Sequence, residues 1–239
     1  MIKLENYFLY ISSQFELKIE CLTIQDSSRF FIVGPSGSGK TTLMKSLAGL
    51  HNNYQGTLQI NGKTISARGL SALYEYNIMF LTQDLGLWPH MSASEHISFV
   101  LSKGVSLQSD AAEYWLDIVG LKNKQNVKPH ELSGGEQKRL ALARVLSAKP
   151  KYLFLDEPFA NIDPVLACEL MKQIDREYKK QNFALIEVTH YYLGIDDEKT
   201  TILVVIDGKI VQQGNWQKIS QHPNNEWTKK WVKLATRNL

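Results

Sequence analysis

Phe30-Phe31-Ile32-Val33-Gly34-Pro35-Ser36-Gly37-Ser38-Gly39-Lys40-Thr41-Thr42 reads as a short buried strand, a glycine-rich loop and the first turn of a helix. Residues 34–41 satisfy G-x-x-x-x-G-K-[ST] at every fixed position, with a strand before and a helix after. Glycines let such a loop curl until successive N–H groups point at phosphate oxygens. The helix opening near Lys40 adds the positive end of its dipole. Lys40 can reach the β- and γ-phosphates of a nucleotide, and the Thr41 hydroxyl can ligate Mg²⁺. The plain alternative is a flexible Gly/Ser turn that happens to end in Lys-Thr; the flanking strand and helix argue against it.

The same rhythm continues outward from this loop. Tyr152-Leu153-Phe154-Leu155, Phe183 to Val188 and Ile202 to Ile206 are further buried-strand candidates, and Lys40 to Leu50, Glu136 to Ala148 and Pro164 to Lys180 have helical composition. Strands alternating with helices imply a parallel sheet covered on both faces. Two regions break the rhythm. Residues 2–24 and 57–66 read as antiparallel β structure, with Asn61-Gly62 as a hairpin turn. Residues 92–148 carry no convincing strand and read as a helical insertion. The expected fold is α/β, a parallel-sheet phosphate-loop core with an N-terminal antiparallel β subdomain and an inserted helical subdomain. The expected division is residues 1–84 and 150–239 for the core and 85–149 for the insertion, all within one domain.

The strand at 152–155 delivers Asp156 and Glu157 to its C-terminal edge, where open α/β sheets bind ligands. Asp156 there would hold Mg²⁺ through its water shell, and Glu157 would orient or deprotonate the water that attacks a γ-phosphate. Pro158 then ends the strand. Two solvated acids would be an equally ordinary reading of Asp-Glu alone; the phosphate loop elsewhere in the chain tips the balance.

Shortly before that strand lies Leu132-Ser133-Gly134-Gly135-Glu136-Gln137-Lys138-Arg139, with Ser133 placed to cap the helix it opens. A serine and two glycines at a helix N-terminus make a second anion-binding surface, and one γ-phosphate does not need two cradles. Here the chain resembles the ABC ATPase family, whose nucleotide-binding core is RecA-like, and the resemblance covers essentially all 239 residues. It implies ATP as ligand, Mg²⁺ as cofactor and a head-to-tail dimer in which Ser133, Gly134, Gly135 and Glu136 of one subunit cover the ATP held by the other. It further implies that Gln83 touches Mg²⁺ and the attacking water, that Ala160-Asn161-Ile162-Asp163 is the loop between subunits, and that His190 contacts the γ-phosphate. An aromatic ring usually stacks on adenine near the N-terminus of these proteins; Tyr10 is the choice from spacing, with Phe15 as the alternative. Ser28-Arg29 stands where Gly-Glu is common and is expected to alter only a turn. Asn161-Ile162 and Tyr191-Tyr192-Leu193 also depart from the usual pattern, without removing a group the chemistry needs.

Composition narrows the role. A net charge of +3 with scattered basic residues does not suggest a nucleic-acid binder. The two cysteines, Cys21 and Cys168, have no metal-site spacing and fit a reducing compartment. The N-terminal residues do not resemble a secretory signal, and the longest apolar runs are far below membrane-spanning length. The expectation is a cytoplasmic ATPase, peripheral on the inner face of the membrane, that powers permease subunits as a homodimer or with a related subunit. Gln83-Asp84-Leu85-Gly86-Leu87-Trp88-Pro89-His90-Met91-Ser92 is similar to the corresponding stretch in bacterial importers of small solutes such as molybdate, thiamine and sulfate. A solute-binding protein would then belong to the same system, and the helical region would receive a helix of the permease. An exporting or lipoprotein-handling subunit, a soluble ATPase acting on ribosomes or DNA, and a small-metabolite kinase are the other readings. The chain has one such domain and no sustained heptads, which argues against the ribosome or DNA class. The stretch Gly208 to Gly214 and the two amphipathic segments after it are expected to be too short for a regulatory β-domain.

Overall fold

The computed structural model describes residues 1–13, 15–65, 70–101, 109–160, 162–189 and 200–236. In chain order these form β1 (Ile2–Ser12), β2 (Phe15–Ile24), β3 (Arg29–Val33), α1 (Lys40–Leu47), β4 (Tyr54–Ile60) and β5 (Lys63–Thr64). Then come α2 (Leu70–Glu75), β6 (Ile78–Leu81), α3 (Ala93–Leu101), α4 (Ser109–Ile118), α5 (Gly134–Ser147) and β7 (Tyr152–Asp156). The chain continues through α6 (Pro164–Gln181), β8 (Ala184–Val188), β9 (Thr200–Ile206), β10 (Lys209–Gly214), α7 (Trp216–Gln221) and α8 (Glu226–Ala235).

The strands lie in the order β5-β4-β1-β2-β10-β9-β3-β8-β7-β6. The run β9-β3-β8-β7-β6 is parallel throughout. Every residue of β3, β7 and β8 is buried, as a parallel sheet covered on both faces requires, and this is why those strands appear as unbroken apolar runs. The other half is mainly antiparallel, β1 with β2 and β4, β4 with β5 and β10 with β9, with a short parallel pairing joining β10 to β2. There the sequence alternates: Leu17 and Ile19 face the core while Lys18 and Glu20 face solvent. The β4–β5 hairpin turns at Asn61 and Gly62, both with positive φ, the geometry that Asn-Gly favours. A second such turn, Asp207-Gly208, joins β9 to β10, so the stretch after residue 206 is a sheet strand before it becomes helical.

Three packed cores fix the layers. One lies between the antiparallel strands and α1 and includes Leu4, Tyr7, Leu43 and Leu47. The second joins α3, α4, α5 and α6 to the far side of the parallel strands through Leu140, Leu153 and Ile174. The third seats α7 and α8 on β3 and β9 through Phe31, Ile202, Ile219 and Trp231. The helices α3–α5 all lie in the connection between β6 and β7, neighbouring parallel strands, so they interrupt the core without altering its strand order.

Arg29 overturns the expectation that its exchange touches only a turn. It is the first residue of β3, and 1% of it is exposed. Its guanidinium donates to Glu187 Oε2 on β8 at 2.8 and 3.0 Å and to Asp175 on α6. Burial pushes the Glu187 carboxyl up, and the facing guanidinium opposes that. A buried pair gives little net stability, but removing one partner strands the other charge. Arg29→Ala is therefore expected to lower the unfolding free energy by about 3–5 kcal/mol, as measured by urea denaturation of the ligand-free protein.

Candidate nucleotide site

The loop from β3 to α1 is built around close approaches. A Cβ on Gly34 would stand 2.0 Å from the Val205 carbonyl oxygen of β9, and one on Gly39 would stand 2.5 Å from the Phe15 ring. Gly39 is also the cap of α1 in a left-handed conformation, with φ 99°. No side chain caps this helix and no acid lies in its first turn, so its terminal N–H groups face the loop ready for an anion. Ser36, Gly37, Gly39, Lys40, Thr41 and Thr42 line a cavity of about 300 Å³ together with Phe15, Gln83 and Glu157.

Charge in this cavity is incompletely compensated. Lys40 is 6% exposed, and its ammonium donates to the carbonyls of Gly34 at 3.1 Å and Pro35 at 2.8 Å. Burial pushes its pKa down, against the pull of Glu157 and Asp156. Asp156 is 4% exposed and accepts from the Thr41 hydroxyl at 3.2 Å. Burial pushes its carboxyl up, and the neighbouring Glu157 adds to that, while Thr41, Lys45 and Lys40 oppose it. The Thr41 hydroxyl and this buried carboxylate form a hard oxygen pair. That suits Mg²⁺, which keeps most of its shell from water and phosphate. Among the described residues no cluster of three His, Cys, Asp or Glu exists that could cage a metal by itself.

Glu157 follows β7 with φ 51°, a left-handed conformation that costs a non-glycine residue about 1–3 kcal/mol and collects at functional sites. Its N–H donates to the Val188 carbonyl at 3.1 Å, and its carbonyl accepts from the Ala160 N–H at 3.1 Å. The strain is thus held by β8 on one side and by the next turn on the other. Gln83, just beyond β6, donates from Nε2 to Glu157 Oε2 at 2.9 Å. The phosphate loop, Gln83, Asp156 and Glu157 lie together at this edge of the sheet.

Ser133, Gly134, Gly135 and Glu136 are not part of that cavity. They open α5 through a reciprocal cap: Ser133 Oγ accepts from the Glu136 N–H at 3.3 Å, and the Glu136 carboxylate accepts from the Ser133 N–H at 3.0 Å. Glu136 also binds the Lys124 ammonium at 2.6 Å. That ion pair, with the Ser133 backbone, draws its pKa down to about 2. Its carboxylate is occupied in shaping the turn. Gly134 and Gly135 line a second cavity, about 480 Å³, whose other walls include Gln83, Lys138, Glu157 and Ala160. A wider one of about 590 Å³ opens between β2 and β10, lined by Lys18 and Lys209 and by none of the residues above. Asp163 caps α6, accepting from the N–H groups of Val165 and Leu166 at 2.9 and 3.2 Å. His190 and Asn161 lie outside the described residues.

The aromatic ring at the cradle is Phe15, the alternative, and not Tyr10, the choice from spacing. Tyr10 is 62% exposed and pairs with Glu16 on the outer face of the hairpin. The reason is strand parity. Phe15 shares the inward face of β2 with Leu17 and Ile19 and ends against Gly39, whereas Tyr10 alternates outward after the buried Leu9.

The raised pKa of Asp156 has a consequence for stability. A carboxyl whose pKa is higher folded than unfolded contributes stability below its unfolded pKa and loses it as pH rises through the folded value. At neutral pH the ionised Asp156 therefore weakens the ligand-free fold. Asp156→Asn is expected to raise the ligand-free protein's stability at pH 7 by about 1 kcal/mol, with the gain vanishing towards pH 3–4, while Mg²⁺-dependent nucleotide binding falls. Thermal unfolding across pH and nucleotide titration measure the two effects.

Residues 17–160 match the family model described as ABC transporter. The chain is 36% identical over 202 residues to an Fe(3+) ions import ATP-binding protein, FbpC, of Pseudomonas fluorescens, covering 84% of this chain and 58% of that relative's length. It is 38% identical over 192 residues to the lipoprotein-releasing system ATP-binding protein LolD 1 of Rhodopirellula baltica, covering 77% of this chain and 83% of the relative. Its fold superposes with a TM-score of 0.78 on the dimeric, post-hydrolysis structure of the ATP-binding cassette MJ0796 bound to ADP and Pi, at 24% identity over 90% of this chain and 98% of that one. With the phosphate loop, the paired acids and the capped Ser133-Gly134-Gly135 turn in place on that fold, the chain belongs to the ABC transporter family as an ATP-binding cassette.

Proposed function

We propose that the chain is the ATP-hydrolysing motor of a membrane transporter, an importer of a small solute, and that it works by closing head to tail on a second copy. The observation that carries this reading is the division of the site. Lys40, Thr41, Gln83 and Glu157 line one cavity, with Asp156 held beside it by Thr41, while Gly134 and Gly135 line a second that shares only Gln83 and Glu157 with the first. One chain offers two half-sites, and a two-fold dimer would complete both.

Phosphoryl transfer from a nucleotide is mostly positioning and charge stabilisation. The N–H groups of residues 36–41 and the Lys40 ammonium would cradle the β- and γ-phosphates. Thr41 and Asp156, with Gln83 nearby, would hold Mg²⁺, which supplies charge neutralisation between those phosphates. Glu157 would orient the attacking water and accept its proton, with its carboxylate steered by the Gln83 amide. His190 is assigned to the γ-phosphate by its place after β8, and Phe15 to the face of the adenine. Ser133 and Gly135 of the other subunit would close over the γ-phosphate, and Glu136 would keep their turn in shape.

A groove of about 670 Å³ between β6 and α3 carries Tyr74, Trp88, Phe99 and Leu101, with Tyr74 and Phe99 largely exposed. We assign it to a cytoplasmic helix of the permease, which would hold the motor at the inner face of the membrane. No helix among the described residues is long and apolar enough to cross a membrane. The iron-import relative and the 83–92 segment favour import of a small solute, with a solute-binding protein in the same system. The lipoprotein-releasing relative favours a second reading, extraction of a lipid-anchored substrate, which uses the same motor. Scattered charge gives nucleic acid no footprint.

Glu157→Gln is expected to lower ATP turnover by about 100-fold or more and to accumulate an ATP-dependent dimer in size-exclusion chromatography. Loaded with ATP and incubated with solubilised membranes, that dimer should recover a multi-span permease. Turnover at the wild-type rate would remove Glu157 from its role, and recovery of ribosomes without a membrane protein would replace the transporter reading.

A further inference from the structure

Helix α5 begins at the Ser133–Gly135 turn and ends ahead of the start of β7, and two of its cations hold the two loops that flank Glu157. Lys138 donates its ammonium to the carbonyl of Ala160, the residue whose N–H binds the Glu157 carbonyl. Arg144, 7% exposed, forks its guanidinium onto the carbonyls of Leu85, at 2.8 Å, and Gly86. Those residues follow Gln83 in the chain. The plane of Arg144 also lies over the Trp88 ring, 5.1 Å from its centre.

The loop that Arg144 grips does not hold its own shape cheaply. Leu85 has φ 60° and Gly86 φ 56°, and a left-handed leucine persists only where its surroundings impose it. The two guanidinium hydrogen bonds satisfy carbonyls that the turn leaves without strand or helix partners. From Leu140 to Ser147 every residue of α5 is buried, so the helix can shift only as a body, and close packing passes the shift along. At its start, Gln137 Nε2 binds the carbonyls of Pro129 and Leu132 at 2.9 and 3.1 Å, tying the preceding turn to the same body.

We infer that Lys138 and Arg144 are positioning residues that couple the two nucleotide sites of the dimer. A γ-phosphate engaged at Ser133–Gly135 displaces α5, and the two grips carry that displacement to the Gln83 and Ala160 loops of the same chain's own cradle. This rests on the composite two-site reading proposed above. Neither side chain lines the phosphate-loop cavity; Lys138 borders the second cavity with its ammonium tied to Ala160, and Arg144 borders neither, so each acts on the cradle through the loop it holds.

The test is the dependence of ATP turnover on MgATP concentration for the purified full chain. The wild type should be cooperative, with a Hill coefficient approaching about 2, the number of sites. Lys138→Met and Arg144→Lys should both bring it to about 1; Arg144 lines neither cavity, so Arg144→Lys should also keep maximal turnover within roughly threefold of wild type, a split that lost stability alone does not produce. Lysine cannot reproduce the two-carbonyl fork at 144, whereas Lys138→Arg still reaches Ala160 and should restore cooperativity. Lys138 is only partly buried, so its variants test the idea even where Arg144→Lys unfolds. Variants as cooperative as the wild type would overturn the inference alone. A wild type that turns over hyperbolically, or not at all, would overturn the two-site reading and the inference with it.

Discussion

The C-terminal edge of the parallel sheet gathers buried charge that the chain does not neutralise by itself. Among the described residues, Lys40 is enclosed with backbone carbonyls to receive its ammonium hydrogens, and Asp156 is enclosed with the Thr41 hydroxyl donating to it. Each has its charged form disfavoured by burial. Such an arrangement is costly in an empty site and favourable once phosphate oxygens and a divalent cation arrive, because the same low dielectric then strengthens every new contact. The glycines that let Val205 and Phe15 press on the loop, the uncapped start of α1 and the strained backbone of Glu157 all serve this edge. The rest of the sheet supports it: β3 and β8 are cross-linked by Arg29, at the start of β3, and Glu187.

Incompleteness on a second level explains the helical insertion. Ser133 and the glycines beside it present an anion-binding turn, yet the glycines line a cavity that meets the cradle only at Gln83 and Glu157. Glu136, capped and ion-paired, is spent on holding that turn. Gln83 and Glu157 line both cavities, so their hydrogen bond stands between the two half-sites. With α5 gripping the loops on either side of that bond, the insertion is a lever attached to the chemistry rather than a covering layer.

Much of this was legible from sequence because the informative signals are local. The apolar runs 30–33, 152–155 and 183–188 read as buried strands, and the fixed residues of the phosphate loop and the Leu132–Arg139 stretch carry their chemistry in their spacing. Long-range choices were not legible. Arg29 looked like a turn residue because Glu187 and Asp175, its partners, are about 150 positions away. Tyr10 and Phe15 flank one hairpin, and only the strand parity after its irregular register sends Phe15 inward. Lys138 and Arg144 sit in an ordinary-looking helix, and nothing in their spacing announces that they reach backbone carbonyls of other loops. Strand β10 hid behind a short polar-apolar stretch whose one clear signal, Asp207-Gly208, marks a hairpin.

Mixing two inactive variants tests most directly whether a working site is assembled from two copies. Ser133→Arg spoils only the anion surface that a chain lends to its partner, and Glu157→Gln spoils only the cradle that it keeps. A dimer of one with the other would pair the intact cradle of the Ser133→Arg chain with the intact Ser133 turn of the Glu157→Gln chain. ATP turnover should reappear on mixing, up to the share of sites so formed. Turnover that stays at the level of the separate variants, while mixed dimers are seen to form, would contradict a site shared between two copies.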